Sequence, residues 1–169
     1  EYYNEHNLDK LPIKAEDAQK IIKTAFTCLT KIDEKRAVRN LMSLEEITEM
    51  VGDKDIDTVK TGKVLDYFRI DGNSFLRPFL THDPISQKLK PKTVLDISHE
   101  ALMRNWNILE EWAWEEYSNV ITYRELNAQL QKWLKSEKAK FNLLSAGNLL
   151  HFERWFKNMD ANPIAWLKR

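Results

Sequence analysis

Apolar positions recur at helical spacing in several stretches of the chain, with short strand-like runs between them. Residues 1–14 show little periodicity and one Pro, and read as a leader. From 17 to 31, Ile21, Ile22, Ala25, Phe26 and Leu29 fall on one face of a helix. "AVRNLMS" is a short candidate strand. It runs into "SLEE", where Ser43 can cap a helix and Glu46 can reach back to it. That helix, 44–51, stops at Gly52. A third helix begins near Asp57 and carries Val59, Val64, Leu65 and Phe68 on one face, before a turn at Asp71-Gly72. "SFLRPFL", the polar "THDPISQKLKPK" and "TVLDIS" read as a strand, a loop and a returning strand. Helix, strand, helix, helix, strand, loop, strand is the order of a winged helix, with the polar loop as its wing. This domain spans 15–98.

The pattern then changes. From His99 to Ala146 there is neither Gly nor Pro, and all six Trp lie at or beyond Trp106. Leu102, Trp106, Leu109 and Ala113 line one face of a first helix. "SNVIT" reads as a turn, with Thr122 and Glu125 as a second capping box. Tyr123, Leu126, Leu130, Trp133 and Leu134 stripe the next helix. The chain turns again around Gly147. Leu149, Phe152, Trp155, Phe156 and Met159 stripe a third helix, with Glu153 and Lys157 as an exposed pair and Pro163 as its end. Residues 99–169 are therefore a helical extension. The expected fold is mainly α, with a minor α+β part: a winged helix with a small antiparallel sheet, followed by helices.

Composition narrows the classes of function. Hydrophobic residues at 43% can bury a core, and 31% charged residues make an ordinary soluble surface. The formal net charge is zero, which disfavours a general nucleic-acid binder. One cysteine, Cys28, allows no disulfide framework, and its apolar neighbours mark it as a core filler. There is no apolar run of membrane-spanning length and no secretory signal, so a cytoplasmic setting is expected. The absence of an initiator Met points to a piece of a longer polypeptide.

Catalytic motifs are missing. No G-x-x-x-x-G-K-[ST] loop is present to cradle phosphates, and there is no G-x-S-x-G elbow and no H-E-x-x-H pair. His6, His82, His99 and His151 have no metal-ligand spacing. Acidic pairs such as Glu45-Glu46 and Glu110-Glu111 belong to solvated helix faces. The chain by itself is expected not to be an enzyme, and to hold no metal or cofactor. A winged helix invites a DNA-binding reading. However, its presumed recognition helix balances Lys54, Lys60, Lys63 and Arg69 against Asp53, Asp55, Asp57 and Asp66. His99 stands at the mouth of a helix with Ser98 as its N-cap. A helix N-terminus offers free N–H groups and the positive end of the dipole, so an anion could sit there. A hydrogen bond within the strand–helix junction is the plainer role, and residue chemistry alone favours it.

"RAVRNLMSLEEI", "VLDYFRIDGNSFLRP" and above all "VLDISHEALMRNWNILEEW" resemble the region after the ATPase core in bacterial STAND NTPases. Within these signal-transduction ATPases, the closest group is the novel STAND NTPase family, whose members often carry WD40 repeats or other sensor modules downstream. The resemblance spans about 15–166 and includes "LQKWL" and "NLLHFERW". It implies a P-loop ATPase core that precedes this region and binds ADP or ATP with Mg²⁺, and sensor or effector domains that follow it. It implies that the winged helix closes over ADP in the resting state, with a histidine on the β-phosphate. In plant and animal relatives that histidine lies in a Met-His-Asp triplet. The matching triplet here is Ser98-His99-Glu100, which leaves the role of Glu100 open, and Arg104 is a further possible helper. The resulting expectation is the nucleotide-sensing arm of a STAND ATPase. The alternatives are a winged-helix DNA-binding regulator and a helical protein–protein adaptor.

Overall fold

The computed structural model describes residues 13–34, 36–80, 88–99, 102 and 105–159. Helix α1, Ala15–Cys28, follows the apolar stripe and buries Ile21, Ala25, Phe26 and Cys28. It ends earlier than the periodicity suggests. The Asn40 side chain donates to the Cys28 carbonyl at 2.7 Å, and the Asn40 backbone N–H donates to the Leu29 carbonyl at 2.8 Å. These bonds satisfy acceptors that a helix end leaves open. The chain then forms a hairpin, β1 (Thr30–Asp33) and β2 (Arg36–Arg39), with Thr30 opposite Arg39.

"AVRNLMS" is thus two strands rather than one. The ladder breaks at Asn40 and Leu41, and β3 is only Met42–Ser43. Leu41 is 63% exposed, so the run does not continue as a buried strand. The capping box at Ser43 and Glu46 opens α2, Leu44–Val51, and Gly52 closes it in the left-handed region at φ 66°. Asp57 accepts from the Lys60 N–H at 2.8 Å to cap α3, Thr58–Asp66. Strands β4 (Leu76–Arg77) and β5 (Val94–Ile97) complete an antiparallel sheet in the order β3–β5–β4. Met42 pairs with Leu95, and Leu76 pairs with Ile97. The tip of the expected wing, 81–87, lies outside the described residues.

After Ile97 the expected helices are rearranged. Trp106 is in an extended conformation, and α4 runs unbroken from Asn107 to Lys135. The expected turn at "SNVIT" and its capping box do not form. Thr122 Oγ1 instead donates to the Ser118 carbonyl one turn back, at 3.0 Å. No Gly or Pro interrupts the ladder there, and β-branched residues lower helix propensity without breaking a helix. The real turn comes later, where Glu137 and Lys138 take left-handed φ values of 54° and 65°. A 3₁₀ turn follows at Lys140–Asn142. Ser145 then caps α5, Ala146–Lys157, which places Gly147 inside the helix and not at the turn.

Among the described residues, then, the fold is mainly helical with small antiparallel sheets. One core serves both halves of the chain. Phe26 is fully buried and meets Phe68 and Trp106 edge-on, both at 5.1 Å between ring centroids. Leu109 and Ala113 of α4 are buried, Leu109 in the same cluster as Ile21, Leu44, Leu65 and Leu95. Lys23 of α1 pairs with Glu115 of α4 at 3.3 Å. Trp155 of α5 donates through Nε1 to Asn119 of α4 at 2.9 Å. Much of the expected apolar striping farther along stays uncovered. Leu130, Leu134, Leu149, Leu150 and Phe156 are each about half exposed, and Phe141 is 84% exposed.

Candidate functional site

The strand–helix junction after β5 is built from both sides. Ile97 is buried in the core, and the sheet brings Phe75 alongside, so that the Ser98 N–H donates to the Phe75 carbonyl at 2.8 Å. The Ser98 side chain is also buried, and its hydroxyl donates to the Ser74 carbonyl at 2.6 Å. A serine hydroxyl has one proton, so this bond commits its donor to the segment before β4. His99 follows and is exposed. Its carbonyl accepts from the Leu102 N–H at 3.1 Å, and the Leu102 carbonyl accepts from the Trp106 N–H at 3.0 Å. Glu100 and Arg104 lie outside the described residues.

Sequence reading did not find the second support of this junction. Arg39, the last residue of β2, donates through one guanidinium nitrogen to Asp96 Oδ2 at 2.9 Å and to the Ile97 carbonyl at 3.4 Å. The partners lie 57 positions apart, so no local pattern connects them. The available signal was a charged residue inside the short apolar run "VLDI".

Other sites offer less chemistry. A cleft of about 720 Å³ lies between the hairpin and the middle of α4, lined by Lys31, Asp33, Asn40, Glu116, Tyr117 and Arg124 among others. Its charges are mixed. An apolar groove of about 330 Å³ runs between the end of α4 and the start of α5, past Leu126, Leu130, Trp133, Leu143 and Leu149. Among the described residues, no group of three or more His, Cys, Asp or Glu could hold a metal ion. No helix there is long and apolar enough to cross a membrane.

The would-be recognition helix α3 presents few free cations. Arg69, beyond its end, is 1% exposed and pairs with Asp66, and its Nε donates to the Pro78 carbonyl at 2.6 Å. Burial pushes the Asp66 carboxyl up, against the opposing pull of Arg69. Lys60 folds back onto the Asp55 carbonyl.

Comparison with curated proteins finds no match, and neither does comparison with solved structures. A family model does match: Novel STAND NTPase 1, over residues 4–140. That span takes in α1, both small sheets, the His99 junction and all of α4. The chain belongs to the novel STAND NTPase 1 family.

Proposed function

We propose that this chain is the nucleotide-sensing arm of a STAND signal-transduction ATPase, a winged helix with a helical extension that carries no catalytic centre of its own. Family membership points to a STAND role, and, apart from the added β1–β2 hairpin, the run from α1 through β3, α2, α3 and β4 to β5 supports the winged-helix reading. Its partners are the P-loop core of the same polypeptide, which binds ADP or ATP with Mg²⁺, and sensor domains that follow. The setting is cytoplasmic.

The observation that carries the proposal is the exposed His99 after a half-buried strand that ends on the buried Ile97, on a backbone held by Ser98 and Arg39. In the resting state His99 donates a ring N–H to the β-phosphate of ADP, which favours the closed arrangement over the open one. Ser98 anchors the junction, and a rigid-body swing of the arm transmits the nucleotide state. A hydrogen bond to a charged group contributes about 1.5–3 kcal/mol, or roughly 10- to 100-fold in the closed–open equilibrium. His99→Ala in the full-length protein should therefore speed ADP release by that factor. The same substitution should change the melting stability of the 169-residue chain by less than about 1 kcal/mol, as expected of an exposed residue. An unchanged release rate with a badly destabilised chain returns His99 to a purely structural role.

DNA binding is the weaker reading, since Arg69 is buried and Lys60 is engaged on its own loop. An adaptor role has an observation of its own. Leu130 and Leu149 line one apolar groove, and Leu134, Phe141 and Phe156 are also exposed; large apolar surfaces left open mark contact sites. Loss of binding to a downstream domain on Phe141→Ser plus Leu149→Ser would support it, and unchanged binding would remove it.

A further inference from the structure

We propose that Arg39 is a positioning residue for His99, and that the Arg39–Asp96 pair sets where the His99 ring stands. This inference rests on the nucleotide-sensing reading above. Among the described residues β2 pairs with β1 alone and shares no sheet with β5. Arg39 nevertheless reaches across and holds both the side chain of Asp96 and the carbonyl of Ile97, the two residues that lead into Ser98 and His99. On the other side Ser98 is tied to Ser74. The backbone just before His99 is thus held between the hairpin and the segment that leads into β4.

The pair lies at the edge of the fold and is partly exposed. The side chain of Asp96 is 20% exposed and that of Arg39 is 38% exposed. Asp96 Oδ1 is buried and receives no hydrogen bond, so Arg39 is the cation that balances this carboxylate among the described residues. An ion pair of this kind is screened less than one in open water. Without the guanidinium, a mostly buried carboxylate would be left unpaired, and its best recourse is to turn toward water. Asp96 would then pull the strand end with it, and the Ile97 carbonyl would lose its donor. A hydrogen bond weakens steeply once its angle or distance drifts, so a small shift of the backbone at 97–99 would cost the bond from His99 to phosphate. The same hairpin also packs on α4 through β1.

The test is a double-mutant cycle on the full-length protein, loaded with ADP carrying a fluorescent ribose label and chased with unlabelled ADP. Arg39→Met should speed release roughly two- to fivefold, the range expected of a partly exposed ion pair. In the His99→Ala background it should add nothing, because Arg39 acts only through the ring that is gone. Equal acceleration in both backgrounds would mean that Arg39 acts independently of His99, and would overturn the inference. So would an unchanged rate in Arg39→Met when His99→Ala is fast, and in that case the sensing role of His99 still stands. If His99→Ala itself releases ADP at the wild-type rate, the sensing reading fails and the positioning role fails with it. Should Arg39→Met not fold, as judged by circular dichroism, Asp96→Asn replaces it. Asp96→Asn removes the charge but keeps the shape, and carries the same expectations.

Discussion

Ser43 and Glu46 bind each other in three ways. The Glu46 carboxylate accepts from the Ser43 hydroxyl at 2.6 Å and from the Ser43 N–H at 2.8 Å, while the Ser43 hydroxyl accepts from the Glu46 N–H at 3.3 Å. The hydrogen bonds from Ser43 hold the Glu46 carboxyl below its ordinary value of 4.5. A carboxylate depressed in the folded state stabilises the fold above its unfolded pKa, and that contribution is lost as pH falls through the folded value. Ser43→Ala should thus cost about 1 kcal/mol in urea unfolding at neutral pH, as for other N-caps. The penalty should shrink once the pH is taken well below 4.5. A penalty of the same size at both pH values would mean that the carboxylate has no part in it. This box was legible in four consecutive letters, because all of its bonds are local. The Arg39–Asp96 pair was not, because nothing in a linear chain says which strand end meets which hairpin.

At the scale of elements, α3 contains a glycine that the fold does not require. Gly62 lies in the helix interior, and a Cβ built on it would meet Leu44 Cδ2 at 3.5 Å and Leu89 Cβ at 3.7 Å, ordinary contact distances. Gly inside a helix is about 0.5–1 kcal/mol less favourable than Ala. Gly62→Ala should raise stability by roughly that amount in a urea melt, and a loss of more than 1 kcal/mol would show that the Leu44–Leu89 seam cannot accept a methyl group. Helix α4 makes the opposite point. Its 29 residues include a stretch that reads as a turn, but it stays helical because its first half is anchored by the buried Leu109 and Ala113 and the helix also packs on β1. Cutting the chain after Tyr117 should remove Val120, Tyr123 and Trp155 from the core and leave a fragment that aggregates or melts without cooperativity. A soluble 1–117 fragment with a sharp melting transition would show that the extension is dispensable for folding.

The molecule as a whole has no phosphate-cradling loop, so calorimetry on the 169-residue chain should find ADP and ATP affinities no tighter than about 1 mM. Micromolar binding would place the nucleotide pocket within this chain instead of in a neighbouring core. The pattern of apolar positions was enough to establish a mainly helical fold, α1, α2 and α3, and strand-like runs around β4 and β5, since each rests on spacing and caps within a few residues. The exposed histidine at the strand–helix junction was legible for the same reason. Tertiary structure decided the rest: where α1 stops, that "AVRNLMS" is split between two sheets, that α4 runs through its expected turn, and that Arg39 supports the His99 junction. Each of these depends on groups brought together from distant parts of the chain, and burial and hydrogen bonding between such groups outweigh local propensities of a few tenths of a kcal/mol.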